Sequence, residues 1–281
     1  MQYFEHEISG IDGTAAKFVG YCLDNSEEVI PDYARPSVLV IPGGGYEMTS
    51  DREAEPIAMQ FLAAGYNAFV LRYSVKPSVF PVALLEAAEA MKQIREHAAE
   101  WHVDTNAIAV IGFSAGGHLA ANLATSASDE VIAAHGYDPD AVRPNGLMLA
   151  YPVITSGPLA HRGSFDSLLG ERKADPEALE SVSIEKHVDA KTRRCSCGIP
   201  FPTTAYRMRT RLCSSMPASR PASVSRRTCS PAAAMACRSV PPKRHGRVST
   251  ASRNACRCGR SWLPRGCVGR SPNRLIASGT A

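Results

Sequence analysis

An α/β fold, with a mostly parallel sheet covered by helices on both faces, is predicted for residues 1 to about 192 of this 281-residue chain. Three observations carry the prediction. Short β-branched runs alternate with longer stretches of helix formers. Several of the runs are apolar without alternation, as strands covered on both faces require. Glycine-rich turns stand at the carboxyl ends of two of them, where an open parallel sheet gathers its site.

The elements follow in order. Tyr3 to Ile8 and Ala15 to Leu23, separated by Gly10-Ile11-Asp12-Gly13, predict an antiparallel hairpin edging the sheet. Ser37 to Ile41 predicts a central strand that runs into Pro42-Gly43-Gly44-Gly45-Tyr46. Three consecutive glycines cost chain entropy, and the physical reason to keep them is a set of backbone amides that must approach an anion or a developing oxyanion closely. Asp51 to Ala64 predicts a helix ended by Gly65, and Asn67 to Tyr73 the next strand. Pro81 to Ala99 predicts a long amphipathic helix, and Val103 to Asn106 a turn into a further strand. Gly146 to Tyr151 is expected to be the last strand of the sheet, followed by a polar segment to Asp189 that reads as a cap or lid.

Between these lies Ala107-Ile108-Ala109-Val110-Ile111-Gly112-Phe113-Ser114-Ala115-Gly116-Gly117-His118. A buried strand leads into it and the helix formers Leu119 to Ala124 lead out. Gly112 and Gly116 therefore bracket a serine at a strand-to-helix corner, the G-x-S-x-G arrangement that turns a hydroxyl out over the sheet. An ordinary glycine-rich turn with an N-cap serine is the plainer alternative.

With the glycine loop 42–46, the elbow 112–120 and Tyr151-Pro152-Val153, the first 192 residues resemble an α/β-hydrolase of the esterase/lipase group, which includes hormone-sensitive-lipase-like and acetylxylan-esterase-like enzymes. The resemblance implies that Ser114 is the nucleophile and that the amides of Ala115 and of Gly44 or Gly45 form the oxyanion hole. It implies hydrolysis of a small-molecule carboxylic ester, with short acyl groups on sugars or other small alcohols as the expected class, and neither metal nor cofactor. Many members have His where this chain has Pro42, which leaves the anchoring of the loop open.

The resemblance also requires an acid and then a histidine beyond the serine. The histidines after Ser114 are His118, His135, His161, His187 and His245. His118 sits one turn after the elbow and is expected to pack or cap. His161, with Asp166, falls in the cap segment, and His187 precedes the expected acid-bearing strand. No acidic residue follows Asp189, so nothing can orient His245 and no triad assembles in the required order.

Charge divides the chain at the same place. All 27 Asp and Glu lie at or before Asp189; with 13 Lys and Arg against them, the first part carries −14, and the 18 basic residues from Arg193 onward give the second +18. Cys22 is alone in the first part, whereas eight cysteines crowd the second. Lone cysteine use, an amino terminus without signal-peptide character and the lack of any run near the ~18 apolar residues of a membrane span predict a cytoplasmic protein.

Residues 193–281 contain Leu, Ile, Val and Phe at roughly a tenth, below the ~20% needed to bury a core, and are expected to form a disordered basic tail. Their Arg, Ser, Ala, Pro and Cys bias is that of GC-rich DNA read out of frame. In the frame that joins the last base of each codon to the first two of the next, Arg193 to Arg207 permits Pro-Pro-Val-Phe-Leu-Trp-His-Thr-Phe-Pro-Asp-Asp-Cys-Val-Pro, an apolar strand followed by acids. Ser230 to Cys237 permits Pro-Arg-Gly-Gly-His-Gly-Leu. Both resemble the missing parts of the esterase pattern, in the right order, and predict a frameshift near Thr192. A basic nucleic-acid-binding arm is the rival, although Cys195-Ser196-Cys197 and Cys256-Arg257-Cys258 lack zinc-module spacing. A non-catalytic protein binding a ligand through the glycine loop is the third reading.

Overall fold

The computed structural model describes residues 1–28, 30–189 and 192, together with the backbone of residues 195–197. The expectations for residues 198–281 lie outside the described residues.

Strands β1 (Gln2–Ser9) and β2 (Ala15–Cys22) form the antiparallel hairpin expected at the edge. After them come β3 (Arg35–Ile41), helix α1 (Glu55–Ala63), β4 (Asn67–Arg72), α2 (Val82–Glu96), β5 (Val103–Phe113) and α3 (Ser114–Ala124). Two short helices, α4 (Asp129–Ala134) and α5 (Pro139–Val142), lead to β6 (Gly146–Ala150), and α6 (Arg162–Leu169) and α7 (Pro176–Ser181) fill the segment expected to be a cap. The sheet runs β1-β2-β4-β3-β5-β6-β7, where β7 is Cys195–Cys197, with β2 antiparallel to β4 and every later pair parallel.

Alternation along the central strands sorts the helices. Leu39 and Ile41 of β3 share a fully buried cluster with Phe69 and Leu71 of β4, Leu84 and Met91 of α2 and Leu119 of α3. Val38 and Val40 point the other way, into a second cluster with Val70 and Ala58 of α1. Each such aliphatic side chain contributes about 2 kcal/mol by leaving water, so the sheet is held from both sides. An aromatic group fastens the hairpin: Phe4 stacks on Trp101 at 4.4 Å and Phe18 on Phe69 at 5.7 Å between ring centroids.

Two expectations are corrected. Val103 to Asn106 is not a turn before β5 but its opening stretch: Val103 pairs with Arg35, and pairing resumes only at Ile108 opposite Ser37. The extra residues bulge, and the Asp104 carboxylate accepts the Asn106 amide at 2.9 Å, which gives the excursion the local character of a turn. Nor does β6 end the sheet. Strand β7 (Cys195–Cys197) adds in parallel, with Leu147, Met148 and Leu149 opposite Cys195, Ser196 and Cys197. Among the described residues no helix is long and apolar enough to cross a membrane.

Candidate active site

At the carboxyl end of β5 the chain turns sharply into α3, and Ser114, with φ of 49°, takes the strained conformation of that corner. A non-glycine residue holds such a φ only where its surroundings enforce it. Here they do: the Ser114 carbonyl accepts the Val153 amide at 2.9 Å, and Phe113 and Ala115 on either side are buried. Gly116 is required by a different constraint. A Cβ there would lie 2.2 Å from the Pro42 carbonyl oxygen and 2.3 Å from that of Ile41, so the first turn of α3 and the end of β3 meet backbone to backbone.

That contact brings the glycine loop beside the serine. A Cβ on Gly43 would stand 2.9 Å from Ser114 Cβ. Gly44, at φ 138°, leaves the loop in a conformation that L side chains rarely adopt, and its carbonyl accepts the amides of Glu47 and Met48 at 3.1 and 3.2 Å. The amides of Gly44, Gly45 and Ala115 make no hydrogen bond among the described residues. Unspent amides at a half-buried corner next to a serine hydroxyl suit an oxygen carrying negative charge.

The anchoring left open by Pro42 is supplied by three side chains from elsewhere. Tyr73 donates its hydroxyl to the Pro42 carbonyl at 3.0 Å. Glu53 accepts the Gly43 amide at 2.8 Å through Oε2 and the Tyr151 hydroxyl through Oε1. Tyr46 donates to His118 Nδ1 at 2.8 Å, while His118 Nε2 donates to the Val182 carbonyl at 2.8 Å. Both ring nitrogens of His118 are thereby committed, with the proton on Nε2. Burial of the ring, 1% exposed, lowers its pKa to about 4, with the Val182 bond opposing. His118 packs and ties the loop to the cap, as expected of it, and is no free base. Burial likewise raises the phenols of Tyr46, Tyr73 and Tyr151, Glu53 adding to the effect at Tyr151, so all three remain donors.

The other described histidines after Ser114 each bond a different group through one ring nitrogen. His161 Nδ1 bonds Ser164 Oγ at 2.9 Å, and Asp166, its expected neighbour in the cap, pairs instead with Arg162 at 3.0 Å. His135 donates to the Val131 carbonyl, and His187 Nε2 lies 3.2 Å from the Glu180 carbonyl. His245 lies outside the described residues. No side chain among the described residues hydrogen-bonds the Ser114 hydroxyl, and no group of three or more His, Cys, Asp or Glu there could hold a metal.

Helix α6 covers the loop: Ser164 Oγ is 3.8 Å from where a Gly45 Cβ would stand, and Ser167 donates to Glu47 at 3.3 Å. Beside it opens a cavity of about 640 Å³ whose lining includes Glu47, Lys76, Asp166, Ser167, Glu171 and Lys173.

Sequence reasoning missed Glu53, Tyr73 and Tyr46 as holders of the loop. Glu53 sits in the charged run Asp51-Arg52-Glu53-Ala54-Glu55, which reads as a solvated face. Only the three-dimensional contact gives it away.

Comparison with known proteins gives a consistent picture. The BD-FAE family model matches residues 29–146. Endo-1,4-beta-xylanase B of Butyrivibrio fibrisolvens is 38% identical over 168 residues, 58% of this chain and 26% of that protein. The chain spans about a quarter to a third of the length of the first curated relatives it matches. Among solved structures, the acetyl ester-xyloside bifunctional hydrolase of Caldicellulosiruptor lactoaceticus is 35% identical, with 66% of this chain and 65% of that one covered and a TM-score of 0.57. MGS-M1, an alpha/beta hydrolase enzyme from a Medee basin deep-sea metagenome library, is 33% identical, with 76% and 78% covered and a TM-score of 0.55.

Proposed function

The chain belongs to the esterase/lipase group of α/β-hydrolases, and from that premise we propose that its gene encodes a serine hydrolase of carboxylic esters with Ser114 as nucleophile. The observation that carries the proposal is the apposition of the strained Ser114 corner and the glycine loop, with the amides of Gly44, Gly45 and Ala115 unspent beside it. In the complete reaction a histidine takes the Ser114 proton as Oγ attacks the ester carbonyl. The three amides stabilise the oxyanion, the alcohol leaves with the proton returned by the histidine, and water releases the acyl group by the same steps in reverse order. Names of relatives support short acyl groups on sugars as the substrate class.

The base and its orienting acid belong, in this proposal, to the frame that is closed to the written chain after Thr192. The four described histidines after Ser114 support that reading, since each makes a hydrogen bond to a group other than Ser114. The slot beside β6 is taken by residues 195–197, the positions at which the shifted frame permits the apolar run Phe-Leu-Trp.

Restoring the frame near Thr192 and assaying an acetate ester tests both parts. Triad members act as a unit, so the restored chain should exceed the written one by a factor on the order of 10⁶ in turnover, with Ser114→Ala removing the difference. Equal rates for the two chains would place the base among residues 1–189 and end the frameshift proposal.

A further inference from the structure

We infer that Glu53 is a positioning residue that fixes the glycine loop against Ser114; the inference rests on the role proposed above for Ser114 and the loop amides. Its carboxylate joins three strand ends. Oε2 accepts the Gly43 amide, at the first glycine after β3. Oε1 accepts the hydroxyl of Tyr151, at the end of β6, whose ring packs on Phe113 at 5.9 Å between centroids. Two residues later Val153 holds the Ser114 carbonyl. Loop, nucleophile corner and β6 thus close on one side chain.

Gly43 is held from both of its polar groups. Its carbonyl accepts the Ser50 amide at 2.9 Å, and the Ser50 carbonyl accepts the Glu53 amide at 3.1 Å, so the segment that returns from the loop carries the carboxylate back to the loop's start. The tolerance is small: a Cβ on Gly43 would lie 2.7 Å from the Phe113 carbonyl oxygen and 2.9 Å from both Ser114 Cβ and Glu53 Oε2. The amides of Gly44 and Gly45 follow directly, and oxyanion donors act only where they are held before charge develops.

The two contacts specify a carboxylate. Both partners are donors, and they meet different oxygens. A carboxylate offers an acceptor to each, whereas an amide of the same shape keeps one oxygen for one partner and turns an NH₂ toward the other, which the Gly43 amide cannot accept and the Tyr151 hydroxyl accepts only by giving up its own donation. Glu53→Gln should therefore weaken the pair of ties while keeping the volume, and Tyr151→Phe should remove the tie to β6 from the other side.

Amide hydrogen exchange on the full chain reads the loop without requiring catalysis. In Glu53→Gln the hydrogen-bonded amides of the loop, those of Gly43, Glu47, Met48 and Ser50, should exchange about tenfold faster, the scale of ~1.4 kcal/mol taken from one hydrogen bond, and those of β4 should not change. Unchanged exchange in the loop, or a rise that includes β4, overturns the positioning role. In the frame-restored chain Glu53→Gln should lower kcat about 10- to 100-fold, less than the 10²–10³ of a deleted oxyanion donor, at an unchanged KM, and Tyr151→Phe should lower it less. If Ser114→Ala abolishes activity while Glu53→Gln retains full kcat, this inference fails and the reading of Ser114 stands. Should Ser114→Ala leave activity intact, that reading fails, and the exchange measurement still decides whether Glu53 orders the loop.

Discussion

The two sides of the site are built on different length scales. Ser114 and the amides proposed as oxyanion donors come from segments that meet backbone to backbone, at Gly116 on the Pro42 carbonyl, and are pinned by Tyr73, Glu53 and His118. The side that should present a base has four described histidines after the serine, each engaged with a carbonyl or a hydroxyl elsewhere. A nucleophile corner is a strand, a turn and a helix that fold as one local unit. A base arrives on a loop after later strands and depends on everything between. A change in the sequence at Arg193 can therefore remove the second and leave the first.

The largest test of this contrast is the frame restoration described above, on the order of 10⁶ in turnover, because under the proposed reading it supplies the base side without touching the other. Next is a substitution that breaks the intact side. Gly116→Val would drive a side chain into the Pro42 and Ile41 carbonyl oxygens, which are backbone atoms and cannot swing away. A loss of about 3 kcal/mol or more in urea unfolding is expected, or no soluble protein; a variant as stable as the parent would mean that loop and elbow do not meet as described.

A smaller effect concerns the pin at His118. Its folded pKa of about 4 lies below the ordinary 6.5, so the unfolded chain takes up a proton at a pH where the folded chain does not. The fold is unpenalised above pH ~6.5 and loses stability as pH falls toward 4, by about 2 kcal/mol between pH 7 and 5. Glu86, whose pKa is raised by burial, works in the opposite direction, so the quantity to measure is the difference from His118→Gln. The variant should show a shallower decline in urea midpoint over that range, and identical slopes would mean that His118 is not buried neutral. The smallest effect is expected at exposed His161 in the cap. His161→Ala should move stability by less than ~0.5 kcal/mol and leave any ester hydrolysis by the written chain unchanged; a loss of activity would give the cap side a base after all.

How much of this was legible follows from the same contrast. Hairpin, central strands, long helix and elbow are local patterns with short periods, and the sequence displays them within a few residues of their observed ends. Asp104 was misread because an Asx-type turn inside a strand has the signature of a turn between elements. Glu53 was invisible because its partners lie 10 and 98 positions away and because a glutamate among charges reads as solvated surface. Pro42 signalled that the loop needed another anchor, but nothing local could say that Tyr73, Glu53 and His118 would share the task.

Strand β7 carries one more consequence. Its place beside β6 is defined by main-chain pairing at Leu147, Met148 and Leu149, and main-chain donors and acceptors are the same whatever side chains a reading frame writes. Filling the edge of the sheet and completing the chemistry are thus separable. A gene can change the whole message downstream of residue 192 and still offer a neighbouring ribbon to β6, so the proposed change of frame is compatible with an intact sheet edge.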